Sequence, residues 1–178
     1  MPLIESGKLI DDAWVRLGDD EALPASDVPV IVSLARFHKD RESLVGRNGG
    51  LGVFLASNQH PKDIADHLAD FALVALDFPK FRDGRGFTVA RELREYLGYR
   101  GTIRAVGHTI PDQYLFLVRC GVDQVEIAEG KDAGLWAHAL TEIDVAYQVS
   151  VAGPLSTARL ARHASTTGGV SARTETAA

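Results

Sequence analysis

The stretch FALVALDFPKFRDGRGFTVARELREYLGYRGTIRAVG, residues 71–107, decides the fold. It opens with an apolar run (71–78) that lacks the polar alternation of a half-exposed strand, so it reads as a strand covered on both faces. A turn signal at Asp83-Gly84 follows. Residues 86–98 then set Phe87, Ala90, Leu93 and Leu97 on one stripe of a helix, with Gly98 as its stop signal, and TIRAVG (102–107) returns to a strand. Strand, helix and strand in this order make a right-handed βαβ unit.

The same grammar extends in both directions. PVIVSLA (29–35), GLGVFLA (50–56) and QVEIA (124–128) are further short apolar runs, giving about five strands in all. Between them, Pro61 opens a helical pattern carrying Ile64, Leu68 and Phe71, Pro111 opens DQYLFLVRC closed by Gly121, and 132–149 reads as a last, long helix. The expectation is an α/β layered fold with a mostly parallel sheet of about five strands, flavodoxin-like or a partial barrel. Residues 1–22 read as a small N-terminal β-ribbon turning at Ser6-Gly7. One α/β domain is expected over 1–150. Residues 151–178, rich in Ser, Thr, Ala and Gly and without aromatics, are expected to form a disordered tail.

Composition narrows the function. With 19 Lys+Arg against 24 Asp+Glu the net charge is -5, which gives no ground for a nucleic-acid or anionic-membrane partner. The single cysteine, Cys120, excludes an internal disulfide, a thiolate zinc cluster and a Cys-liganded iron–sulfur centre. No signal-peptide pattern and no run of roughly 18 uncharged apolar residues is visible, so a cytoplasmic protein is expected. P-loop, G-x-G-x-x-G and G-x-S-x-G motifs are absent.

Charge is unevenly spread. Between Lys80 and Arg104 there are seven basic and three acidic residues, a local excess of four in a net-acidic chain. Lys80, Arg82 and Arg85 could clamp an oxyanion at the strand-to-helix loop, with Gly84 and Gly86 admitting the ligand and Arg104 reaching in from the next strand. Asp83-Gly84 reads equally as a plain tight turn. Arg91 and Arg94 could meet a partner, or simply pair with Glu95 and neighbouring carboxylates. Asp77 ends a strand, and His108 follows one, so both are candidates for acid/base work at the same sheet edge. His60, Asp63 and His67 lack the density of a metal motif, and no metal is expected.

The motif FPKF-x-DGRG, together with the sequence from Leu76 to Ile127 and the DDAW near the N-terminus, resembles the bacterial domain-of-unknown-function family 934. Where that family has a Gly-Asp pair after the AVG strand, this chain has Gly107-His108, and Pro111 stands where a basic residue is common. Members are encoded among sulfate-assimilation genes beside sulfite reductase. The resemblance implies an accessory protein of assimilatory sulfite reduction, docking to sulfite reductase or an acidic electron-donor protein. Sulfite reduction needs multi-electron cofactors, and this chain shows no site for siroheme, flavin or a cluster, so no cofactor of its own is expected. The alternative is a small enzyme holding a sulfated or phosphorylated metabolite at the same oxyanion pocket.

Overall fold

The computed structural model describes residues 1–143, 145–151 and 155–156. Eight strands form one sheet: β1 (Leu3–Glu5), β2 (Lys8–Ile10), β3 (Val15–Arg16), β4 (Val30–Ser33), β5 (Leu51–Leu55), β6 (Leu73–Phe78), β7 (Thr102–Gly107) and β8 (Gln124–Glu126). Their order is β2-β1-β8-β7-β6-β5-β4-β3. Strands β3 to β8 run parallel, each beside its successor, while β1 lies antiparallel to β8 and β2. The sheet is therefore larger and more mixed than the expected five-stranded one. The five apolar runs all became strands; the ribbon joined the same sheet, and Val15-Arg16 added an edge strand too short to have a sequence signal.

The connection between the edges forces the sheet to curl. A flat sheet of eight strands would be about 34 Å wide at the usual interstrand spacing of roughly 4.8 Å. Its two edge strands, β2 and β3, are joined only by residues 11–14, and five extended Cα steps reach at most about 18 Å. The edges must approach each other, and the sheet becomes a half-barrel.

Sequential parallel strands with right-handed crossovers place their helices on one face. Val30, Val32, Val53, Leu55, Val74, Leu76, Phe78, Ile103, Ala105 and Val125 point to that face and share one core with Phe37, Ile64, Ala90, Leu93, Tyr114 and Leu117. These come from α1 (Leu34–Leu44), a 3-10 helix (Pro61–Asp70), α2 (Arg85–Arg91) with its continuation, and α3 (Pro111–Arg119). The opposite, concave face holds a smaller cluster of Ile31, Leu73, Ala75 and Val106 beneath Trp14 and Phe54. Trp14, from the linking segment, lies over Gly50 and Gly52, where a Cβ would come within 3.3 Å of its ring.

Local chemistry sets the ends. At Ser6 (φ 50) and Gly7 (φ 77) both turn residues have positive φ, the pattern of a tight hairpin, and the Gly7 amide donates to the Tyr114 hydroxyl at 3.0 Å. Ser33 caps α1 by accepting from the Arg36 amide. The helix expected over 86–98 begins as α2 and continues as a π-helical segment, Glu92–Tyr96, with the Leu97 amide bonding to the Glu92 carbonyl before Gly98 (φ 66) ends it. The long helix expected over 132–149 is instead α4 (Ala133–Ala139). It stops where the Thr141 amide and hydroxyl both donate to the His138 carbonyl, and the chain continues into β9 (Val145–Ala146), paired with β10 (Leu155–Ser156). The expected tail, apart from residues 151, 155 and 156, lies outside the described residues.

Candidate functional site

The basic turn leaves β6 at its C-terminal end, the edge where open parallel sheets bind ligands. Here the Asp83 amide donates to the Lys80 carbonyl at 2.9 Å, closing a turn that presents Lys80, Phe81 and Arg82 to solvent. Phe81 is 51% exposed. The side chains of Lys80 and Arg82 make no hydrogen bond or ion pair among the described residues. Arg85 is engaged: it donates to Asp83 through Nε (2.9 Å) and Nη2 (2.6 Å), and to the Ser57 hydroxyl at 3.0 Å. This pairing holds the Asp83 carboxyl down to about 2. Asp83 also accepts from the Arg85 backbone amide, so it does serve as a turn residue.

The two glycines differ. Gly84 has open space around it, with nothing nearer than 3.9 Å to an added Cβ, whereas a Cβ on Gly86 would stand 2.4 Å from the Phe78 ring. Gly86 therefore serves helix–strand packing and not ligand approach. Arg104 does not join the turn. It lies on the concave face, 1% exposed, with its guanidinium donating to Asp12 at 2.8 and 3.0 Å and to Gln124. Arg94 is also structural: it donates to the carbonyls of Gly121, Tyr99 and Gly101 and to Asp123. Arg91 makes an exposed pair with Glu95. Beside the turn, Ser57, Asn58, Gln59, His60, Thr88, Val89, Glu92 and Arg85 line a cleft of about 260 Å³.

Asp77 sits at the top of β6 on the concave face, on the side of the sheet opposite Val74, Leu76 and Phe78. Burial raises its carboxyl above the usual range against the opposing pull of Arg16, the Ser57 amide and Arg85, with Asp83 adding to the rise. Glu126, on the same face of β8, is likewise raised by burial, opposed by Arg104 and Arg16. His108 follows β7 and is exposed, its amide donating to the Phe78 carbonyl. Gly107 makes this strand end possible. Its φ is 97°, and an added Cβ would lie 2.8 Å from the Phe78 carbonyl oxygen and 3.3 Å from Asp77 Oδ1. Gly107→Ala is expected to cost about 2–3 kcal/mol in urea unfolding, from a strained backbone and a displaced strand end.

Arg16 and Glu126 are the residues that sequence reading missed. Arg16 stacks 3.8 Å from the Phe54 ring centroid and comes from a strand of only two residues, and Glu126 hides in a short apolar run. Cys120 is buried and its thiol is pushed up to about 11 by desolvation, which suits a packing role. His60 caps the 3-10 helix by accepting from the Lys62 amide, and Nε2 lies 3.3 Å from Glu92. Among the described residues no group of three His, Cys, Asp or Glu side chains could hold a metal ion. None of the described helices is long and apolar enough to cross a membrane.

Fold and site together define a small α/β protein with a curled mixed sheet and with Asp77, the basic turn, His108 and Glu126 at the C-terminal ends of its parallel strands. The chain belongs to a family of bacterial proteins of unknown function, DUF934, whose model matches residues 52–158. The matched region starts in β5 and takes in Asp77, the basic turn, β7 and β8. No curated protein and no solved structure matches the chain.

Proposed function

We propose that this protein is an accessory of assimilatory sulfite reduction, docking on sulfite reductase or on its acidic electron-donor protein through the turn Lys80–Arg82. The sulfite context comes from the resemblance to the family's gene neighbourhood. The docking surface rests on one observation: an exposed aromatic ring, Phe81, stands between two solvent-facing cations that have no partner among the described residues. An aromatic anchor with an arginine beside it is the composition of an interface hot spot, and the free charges steer an acidic partner. The engagement of Arg85 by Asp83 and Ser57 favours docking over a three-residue oxyanion clamp.

Co-purification from cells grown on sulfate tests the reading. Sulfite reductase or its electron donor is expected in the eluate, with capture weakened by salt. Lys80→Glu combined with Arg82→Glu should reduce capture by about tenfold or more while leaving the thermal unfolding temperature unchanged, because both side chains are exposed. Normal growth of a gene-deletion strain on sulfate would sink the proposal.

A further inference from the structure

The concave face carries a second group of side chains that the docking turn does not use. Strand register puts Asp77 beside Val106 on β7. Glu126 lies two residues beyond the Arg104–Gln124 pair, level with Val106 on the next strand. Asp77 and Glu126 therefore flank Val106 on one rung and point to the same helix-free side. Arg16 comes from β3, at the far edge of the sheet order, and the curl brings its charge to bear on both carboxyls.

Arg16 is preorganised and unspent. Its guanidinium rests 3.8 Å from the centroid of the Phe54 ring, is open to solvent, and makes no hydrogen bond or ion pair with any described residue. A stacked arginine keeps its planar fork of donors available for two oxygens at once. Arg104, two residues before Val106 on the same face of β7, is different: Asp12 and Gln124 occupy its donors. Arg16 and Arg104 thus share this face with three carboxyls, Asp12, Asp77 and Glu126. A bare oxyanion on Arg16 would be repelled by Asp77 and Glu126, and a bare cation between those carboxyls would meet Arg16. A ligand carrying both signs satisfies all three groups.

We propose that the mouth of the curled sheet binds a small zwitterion of the α-amino-acid class, its carboxylate on the Arg16 fork and its ammonium toward Asp77 and Glu126. The site is separate from the docking turn, and its ligand does not depend on the sulfite context.

A thermal-shift and calorimetric screen of the full chain against the twenty protein amino acids tests this, with acetate, methylamine, sulfite and phosphate as controls. At least one amino acid is expected to raise the unfolding temperature with increasing concentration, while the four controls at equal concentration do not. Arg16→Ala and Asp77→Asn should each weaken binding about tenfold or more, the usual loss for a charge-assisted hydrogen bond. Arg16→Lys, which keeps the charge and loses the fork, should still bind several-fold less well and guards against a folding defect in the alanine variant. Lys80→Glu with Arg82→Glu should leave binding intact, which separates this site from docking. No response to any amino acid, an equal response to sulfite or phosphate, or undiminished binding by folded Arg16→Ala and Arg16→Lys would each overturn the proposal.

Discussion

Replacing Arg104 with methionine is expected to destabilise the fold by about 3–5 kcal/mol, the usual cost of removing one member of a buried ion pair. Methionine keeps much of the side-chain volume, so the loss reports charge and hydrogen bonding and not a cavity. Arg104 is 1% exposed, and its Nη1 and Nη2 each donate to a different oxygen of Asp12. Nε and Nη2 both donate to Gln124, and Glu126 lies 3.9 Å away. Without the guanidinium, Glu126 keeps its burial and loses its largest opposing charge. Asp12 also loses the partner that ties residues 11–14 to the middle of the concave face, and those residues link the two edges of the sheet. For a chain of this size the loss corresponds to a fall of about 10 °C in Tm.

The direction of the pH effect follows from the remaining carboxyls. Glu126 is already raised by burial, and in the variant it rises further, so its ionised form is the costly one. The deficit relative to wild type should shrink as pH falls through the carboxylate range, where that group takes up a proton. Asp12→Asn should cost less than Arg104→Met, because Asp12 is partly open to water and its amide still accepts one bond. Urea titrations of the two single variants and the double variant measure the coupling. A change under about 1 kcal/mol for Arg104→Met would show that the linking segment is held by Trp14 packing instead.

The strands and the main helix were readable because their signals are local. FALVALDF, TIRAVG and PVIVSLA are apolar enough to be buried on both faces, and Phe87, Ala90 and Leu93 recur at helical spacing. What escaped detection depends on distant neighbours. Val15-Arg16 is a strand only because Val30-Ile31 lies beside it. Helix α1 begins one residue after its strand ends, so PVIVSLA reads through the boundary at Ser33. At the site, Asp77 was legible as a carboxylate ending a strand. Arg16 was not, since Phe54 comes from a strand nearly forty residues on, and its charge reaches Asp77 and Glu126 only in the folded sheet. Arg94 and Arg104 looked like members of a basic surface. Their partners include backbone carbonyls and residues of remote segments, which leave no mark on the sequence around them.

Arg94 gives the other large effect, and its neighbour Arg91 the control. Both were candidates for partner contact on the same helical segment, yet they do different things. Arg94 ties together the loops that enter β7 and β8: Nε donates to the Gly121 carbonyl at 3.0 Å, and Nη1 to those of Tyr99 and Gly101 at 2.8 Å. Nη2 donates to Asp123 Oδ2, which also accepts the Ile103 amide at 2.8 Å. Arg94→Ala strips donors from three carbonyls and one carboxylate, and is expected to cost about 3 kcal/mol or more. Arg94→Lys should recover little, because one ammonium cannot reach acceptors spread over a planar fork. Arg91→Ala removes an exposed pair with Glu95 and should change stability by about 0.5 kcal/mol or less. Thermal unfolding of the three variants separates these roles before any partner is in hand. If Arg94→Ala unfolded at the wild-type temperature, its place among the loops would carry no energy and a role in partner contact would return. If it falls while Arg91→Ala does not, the basic charge that can meet a partner is narrowed to the turn at Lys80 and Arg82 and the exposed arginines around it.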